Sequence, residues 1–517
     1  MKIVFSVKLP EIKKPKIGCL LPWKLVLPTL LTLSLSVMSY NLTSPFVNRL
    51  HYNSGFYSNI ARNYLRYGLA KTAFGQVITA GVVDPANFVY YTHHPPLLPL
   101  YVASSFLLFG VGEWQALIVP IAFSLGSVTL FHMLVKKYWG REIAAISTFV
   151  FILTPVFAFY GRQICYESPT LFFGLFILYH YLDWLESKKR SSYILVSTGF
   201  FMGVLTDWPI LSLLPIISAH SLMFGEKASF RKTLLFWVFG LAAFGMFLTS
   251  LHKTIGSALT ESSSLIRYYL YRANLSENSI NYSGLFSLLW DYLLRGFTLL
   301  VIVPSAIWVT YLISRFRLKG GRLALKLNIN ESITILLLLF GLANIVFLTR
   351  AASENDYYLL YLTPFVALSA VLGLLEIKKR FSTSGSAKML FWIFSAVLLI
   401  MFLFESYSLL KWLPYTIVNY WGPSFGLMLK DKTPADMGIM ISFVVEPQVV
   451  YYADRYIVST VDTIGKFNEN INKPTITFRY LVMSSYERCS DLAVYLDRRY
   501  ASSIYQGFVF YDLSSPL

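Results

Sequence analysis

"LLPLYVASSFLLFGVGEWQALIVPIAFSLGSVTLFHMLVKK" runs from Leu97 to Lys137 and holds two apolar runs. The second, 114–135, is long enough to cross a bilayer and ends on Lys136 and Lys137. The first, Leu97 to Gly110, has 14 residues. At 1.5 Å per residue it covers about 21 Å, short of a hydrocarbon core about 30 Å thick. Whether it crosses sets the side of every later loop. If it does not, the segments 1–24, 136–142, 186–191, 225–232, 315–331 and 376–388 share one side and carry 24 Lys+Arg in 75 residues. The opposite segments 42–113, 161–167, 252–293 and 350–356 then carry 9 in 128. Cytoplasmic loops are the basic ones, so the run does not cross and is read as a helix lying in or dipping into the outer interface.

The rest of the chain agrees with that frame. Of 517 residues, 56% are hydrophobic and 14% charged, with a mean hydropathy of +0.56. A soluble chain would be near 25% charged. The net charge of +17 sits in short loops between apolar runs, so it reads as topogenic charge and not as a nucleic-acid surface. Eleven spans are expected, at 24–41, 114–135, 141–160, 168–185, 192–207, 209–224, 232–251, 294–315, 332–349, 357–375 and 388–410. The pair around Pro209 reads as a tight hairpin. The basic N-terminal stretch with Lys8, Lys13, Lys14 and Lys16 leads into a first span that stays, with the N-terminus cytoplasmic. Cys19, Cys165 and Cys489 have neither disulfide nor metal spacing.

From about Trp421 the pattern changes. "MGIMISFVV" (437–445), "YLVMSS" (480–485) and "GFVFYDL" (507–513) read as strands; "PQVVYYADR" and "ERCSDLAVYLDRRY" read as helices. The expected division is a transmembrane domain over 1–420, with a first outer loop at 42–113, and a small extracytoplasmic α/β domain over 421–517. No nucleotide-binding glycine loop is present in the sequence.

Four outer segments carry polar chemistry. The first contains "NRLHYNSGFYSNIARNYLRYG" (48–68), with three arginines, one histidine, four tyrosines and no acid. As a helix it puts Ile60, Tyr64 and Tyr67 on one face and Asn59, Arg62, Asn63 and Arg66 toward another. An interfacial amphipathic helix would look the same. The same segment continues to "YYTHHPPLLPL" (90–100), where the prolines fix the chain direction and hold His93 and His94 at the surface. "YGRQICYES" (160–168) offers Arg162 and Glu167, "TDWP" (206–209) Asp207, and "RAASENDYYLLYLTP" (350–364) Arg350, Glu354, Asp356, Tyr357 and Tyr358. Charges at the ends of spans also serve as plain anchors. All four constellations share one side. Cations and donors there suit a phosphate on a lipid tail, and carboxylates suit proton transfer and sugar hydroxyls.

The order "IARNYLRYG", "HHPPL", "LFGVGEWQALIVPIAFSLGSVTLFHMLVKKYWG", "TPVFAFYGRQICYESPTLFF" resembles the GT-C glycosyltransferases of the protein O-mannosyltransferase type, which include the bacterial aminoarabinose lipid A transferases. The resemblance covers about residues 20–225, and 330–375 more loosely. It implies an inverting transfer from a polyisoprenyl-phosphate (polyprenyl or dolichyl) sugar to a protein, lipid or glycan acceptor, catalysed at the outer face of the cell membrane among membrane lipids. It assigns donor-phosphate contact to His94; His93, Arg62, Arg162 and Arg350 are read as further cations for the phosphate from their places in the outer loops. It makes Glu167 the second-loop acid. The stretch Asn355 to Tyr358, with Asp356, Tyr357 and Tyr358, is its loose match for the lipid-phosphate cavity, and Tyr57, Tyr91 and Asp207 are read into the acceptor and lipid cavity from the outer segments. Where relatives carry an acid just before the interfacial helix, this chain has "LHYNSG". Three readings stay open: His51 is the base, Asp84 folds back as the base, or activity is lost. No cofactor is expected. A divalent ion would need His93 and His94 with one outer acid, and adjacent histidines share an ion poorly on a regular element. The rival readings are a transporter and an inactive glycan- or lipid-binding protein. Against the first, polar residues avoid mid-span positions.

Overall fold

The computed structural model describes residues 22–48, 50–255, 267–276, 281–319, 322–325, 327–381, 385–412, 418–473 and 475–517. The basic residues ahead of the first span, and Cys19, lie outside them. The chain forms two compact units, one of Met1–Tyr40, Pro120–Thr249 and Ser257–Leu413, the other of Asn41–Val119, Ser250–Gly256 and Pro414–Leu517.

The first unit is helical. Each of the eleven expected apolar runs carries a helix. Among the described residues five helices are long and apolar enough to cross a membrane by themselves: Glu113–Trp139, Lys227–Thr254, Ile329–Phe347, Asp356–Lys379 and Ile393–Lys411. Others are interrupted, for local reasons. The run 141–160 is two helices, Arg141–Leu153 and Pro155–Tyr160, because Pro155 has no N–H to continue the first ladder. Pro209 likewise sits at the start of a 3₁₀ turn, Trp208–Ser212, before Leu213–Phe224. The run 294–315 is not one straight span. Tyr282–Phe297 and Leu299–Ser314 meet at 109°, and Thr298 between them has φ 62, outside the helical region. Helix Thr363–Phe381 packs tightly on Leu299–Ser314, where a Cβ at Gly373 would overlap the Pro304 carbonyl. A short hairpin pairs Phe316–Lys319 with Arg322–Leu325 in a loop that the sequence pattern does not mark as strand.

The second unit joins segments far apart in sequence. Helix His51–Lys71 kinks at Gly68 (φ 75) and is followed by a two-residue ladder, Gln76 opposite Tyr91 and Val77 opposite Tyr90. Leu97–Phe109 is a separate 13-residue helix that stops at Gly110, φ 85. The tail folds as a five-stranded sheet in the order Ile457–Val458, Gly438–Ile441, Phe478–Ser484, Phe508–Pro516, Tyr500–Tyr505. The first three strands are parallel and the last two antiparallel additions. Side chains alternate between two cores. Met440, Leu481, Met483 and Tyr511 pack with Phe467, Leu492 and Leu496; Ile439, Ile441, Val482 and Phe510 pack with Phe425, Leu429 and Val449. The three strands read from sequence are present. The helix expected over "ERCSDLAVYLDRRY" is shorter, Asp491–Asp497, because Tyr500 onward turns into an edge strand. That strand has almost no apolar alternation. It is fixed by the turn at Gln506 and Gly507, φ 49 and 82, a positive-φ pair suited to a tight hairpin.

Candidate active site

In the first unit the polar groups gather at helix ends. Glu167 ends the loop before the 168–185 span and is the first residue of helix Glu167–Ser187, 6% exposed. Burial, reinforced by the Asp207 carboxylate, pushes its carboxyl up to about 7; its own backbone N–H, the Cys165 thiol and Arg272 pull the other way. Asp207 is 4% exposed and accepts from the Trp208 N–H at 2.9 Å. Arg272, in the segment between the spans, donates to the Tyr358 hydroxyl at 2.7 Å and lies 5.1 Å from the Tyr268 ring centre. Tyr357 and Tyr358 stack at 5.2 Å. Tyr160 donates to Asp356 Oδ1 at 2.5 Å and meets Tyr357 edge-on at 6.1 Å. Glu167, Asp207, Tyr357 and Tyr358, read from three separate stretches of polar sequence, are therefore in one electrostatic neighbourhood. Around it the Arg162 Nε, Gln163 Oε1, Thr170 Oγ1, Trp208 Nε1 and Tyr361 hydroxyl are buried with no hydrogen-bond partner. Buried polar atoms are nearly always satisfied, so such a group invites a polar occupant. Arg350 is engaged elsewhere, with Glu354 at 2.9 Å and over the Tyr271 ring at 3.7 Å.

In the second unit the acid-free helix obtains its carboxylate from the tail. Asp454 lies 2.8 Å from Arg62 Nη1, and Arg66 Nη2 donates to both of its oxygens at 2.8 Å. Arg62 also donates to the Tyr451 carbonyl at 2.9 Å and lies 4.3 Å over the Tyr451 ring. Burial alone would raise the Asp454 carboxyl; the two arginines overcome it and hold it below the usual carboxylate range. The asparagines serve the returning loop. Asn59 donates to the Ile78 carbonyl at 2.7 Å, and Asn63 to those of Val77 and Thr79 at 2.8 and 2.7 Å. Arg66 and Tyr67 both donate to the Gly81 carbonyl, at 2.9 and 2.8 Å. Gly55 lets the helix approach the Gln448 backbone, which a Cβ would meet at 3.0 Å.

His51 is the first residue of its helix, 3% exposed, and its Nδ1 accepts from the Asn48 N–H at 3.1 Å. That bond leaves the proton on Nε2. Asp84 is exposed and caps a 3₁₀ turn, accepting from the Ala86 N–H at 2.8 Å. His94 stacks on Tyr91 at 6.0 Å; His93 meets the same ring edge-on at 5.3 Å; Tyr57 lies 6.3 Å from it. Gln76 donates to the His94 carbonyl at 2.5 Å.

Residues 93–252 match the family model described as dolichyl-phosphate-mannose-protein mannosyltransferase. YkcB of Bacillus subtilis (strain 168), named as a mannosyltransferase, is 27% identical over 161 residues, 31% of this chain and 22% of that one. YycA of the same organism, named likewise, is 26% identical over 194 residues, 36% and 27% of the two chains. The chain thus aligns with about a quarter of the length of these relatives. ArnT from Cupriavidus metallidurans, solved bound to undecaprenyl phosphate, superposes with a TM-score of 0.62 over 95% of this chain and 97% of that one, at 13% identity. The chain has the GT-C-type fold. The GT-C fold is shared too with the oligosaccharyltransferase of Archaeoglobus fulgidus, TM-score 0.58 over 90% and 70% of the chains at 11% identity. The segment that matches the family model contains His94, Glu167 and Asp207. Two groups that sequence reasoning missed lie outside it, Arg272 and Asp454. "RYYLYR" (267–272) carried the first signal, a cation spaced by aromatics; Asp454 ends an ordinary helix in the tail and carried none.

Proposed function

We propose that this chain transfers a sugar from a polyisoprenyl-phosphate donor to a hydroxyl or amide acceptor at the outer face of the membrane, with inversion at the anomeric carbon. The observation that carries the reading is Arg272, held by Tyr358 and electrostatically coupled to Glu167 and Asp207. A cation beside carboxylates in a GT-C fold serves two halves of one reaction. Arg272 neutralises the phosphate as the bond from the anomeric carbon to the phosphate oxygen breaks. Ionised Glu167 accepts the proton as the acceptor oxygen or nitrogen bonds to that carbon from the opposite side. The products are the glycosylated acceptor and the polyisoprenyl phosphate. Asp207 disfavours the charge on Glu167, which raises its basicity toward neutral pH. His94, oriented by Tyr91, and His93 are assigned to the donor phosphate; Tyr357, Asp356 and Tyr57 to the lipid and acceptor cavity. His51 and Asp84 remain competing first-loop bases. Their settings differ: His51 is buried with its proton on Nε2, and Asp84 faces solvent.

Purified protein in nanodiscs, given a radiolabelled undecaprenyl-phosphate sugar, should release undecaprenyl phosphate with acceptor present, and Glu167→Gln should not. Equal release by both would sink the reading. The orientation rests on the basic loops. Cysteine labelling of intact cells should modify Ser459→Cys and spare Ser187→Cys; the reverse pattern turns the topology over.

A further inference from the structure

Asp454 is separated from Arg66 by 388 of the chain's 517 residues, yet it is the acid on which the Arg62 and Arg66 guanidinium groups converge. Its partners do not stop at the ion pair. Arg66 continues to the Gly81 carbonyl, one helical turn back Asn63 holds Val77 and Thr79, and Asn59 holds Ile78. Those bonds fix the strand beginning at Gln76, which pairs with Tyr91 and donates to the His94 carbonyl. The tail also grips the loop directly. A Cβ at Gly81 would meet the Tyr456 backbone N at 2.5 Å, so this turn sits against the residues that follow Asp454. A continuous path of charge-assisted and backbone hydrogen bonds thus runs from the tail to the ring pair Tyr91–His94.

We propose that Asp454 is a positioning residue for the donor site: by pairing Arg62 and Arg66 it fixes the 76–94 loop and so the place of His94. This rests on the reading that His94 meets the donor phosphate. Three features favour it over a bond that merely adds stability. The contact is a two-arginine, one-carboxylate cluster, in which Arg66 Nη2 engages both carboxylate oxygens and Arg62 Nη1 shares Oδ1, so it fixes direction as well as distance. Arg62 and Arg66 are one turn apart on the same helix, so removing Asp454 would leave two like charges side by side and disfavour the Arg66 placement that holds the Gly81 carbonyl. Asp454 itself has φ 47 and ψ 45, a left-handed conformation that aspartate tolerates and that turns its carboxylate off the end of helix Pro447–Ala453.

The test uses full-length protein in lipid nanodiscs, with undecaprenyl phosphate as the probe. Three quantities are read in parallel: amide hydrogen exchange over 76–94, Kd for the probe, and turnover at saturating donor. Asp454→Asn keeps the shape and removes the charge. Exchange over 76–83 should quicken about tenfold and the Kd should rise about tenfold, the effect of losing one good charge-assisted contact. Turnover at saturation should stay within about threefold, because nothing that touches the reacting atoms has changed. Arg66→Lys keeps the charge and loses the fork, and it should move the same three readings in the same direction; it carries the test if Asp454→Asn does not fold. Faster exchange with an unchanged Kd would make the cluster a fold contact only and overturn the proposal. A weaker Kd with unchanged exchange would overturn the route through the loop. If the wild-type protein fails to retain the probe, it is the donor reading that falls, and the exchange data still report on the cluster.

Discussion

The two units treat their carboxylates in opposite ways. In the second, Asp454 sits between two arginines that hold it ionised. In the first, Glu167 is buried next to another acid, with a thiol and its own backbone N–H as partners, and its carboxyl is pushed up to about 7. The paired acid is settled at every physiological pH and fixes shape. The crowded acid is poised to change charge near neutrality, which is what proton transfer needs.

That contrast breaks first at Glu167. Glu167→Gln should lower turnover by about 10²–10⁴ if the carboxylate takes the acceptor proton. The wild-type rate should climb with pH as Glu167 ionises around 7, and the variant should lose that limb. Stability should run the other way. A carboxyl raised from 4.5 to about 7 holds its proton longer when folded, so its contribution is full below pH 4.5, declines between 4.5 and 7 and is flat above. Chemical denaturation across that window should show the decline in wild type and not in Glu167→Gln; equal slopes would remove Glu167 from the list of poised groups.

Next in size is Arg272→Ala. If Arg272 meets the donor phosphate as proposed, its loss should weaken undecaprenyl-phosphate binding by roughly 10- to 100-fold, with Arg272→Lys recovering part of it. Equilibrium binding in nanodiscs decides, and an affinity unchanged in Arg272→Ala would place the phosphate elsewhere. His51→Ala separates the first-loop bases. If His51 is the base, turnover should fall about as far as in Glu167→Gln; if its role is to receive the Asn48 N–H, the loss should appear as about 1–2 kcal/mol of stability, read from denaturant midpoints, with turnover kept. The smallest effect belongs to Asp84→Asn. The side chain is exposed and caps a turn, and asparagine caps as well, so stability should move by less than about 0.5 kcal/mol and turnover by less than about twofold. A severe loss of turnover would make Asp84 the base after all.

The sequence was most legible where one local rule acts. Apolar runs marked the helices. A glycine and a proline marked two of the breaks, at Gly110 and Pro209, whereas the run 141–160, split at Pro155, was read as one span. The bend at Thr298 was hidden, because a β-branched residue at φ 62 is imposed by its surroundings and not by its own preference. Glu167 and Asp207 stood out as lone acids at helix ends. Arg62 and Arg66 stood out equally, but their partner did not. An aspartate ending a surface helix resembles any other cap, and only the folded chain brings it to the arginines. The edge strand Tyr500–Tyr505 was unreadable for a related reason, since its register comes from the turn and the neighbouring strand.

The distance in sequence between Arg66 and Asp454, 388 residues, also has a meaning in time. A ribosome adds roughly 5–20 residues per second, so Arg66 emerges on the order of 20–80 seconds before its acid exists. During that interval the helices of the first unit can be inserted, while the loop 76–94 has no tail to rest on. A nascent chain stalled before residue 454 would carry two uncompensated arginines on helix His51–Lys71, open to any anion that can stand in for the missing carboxylate.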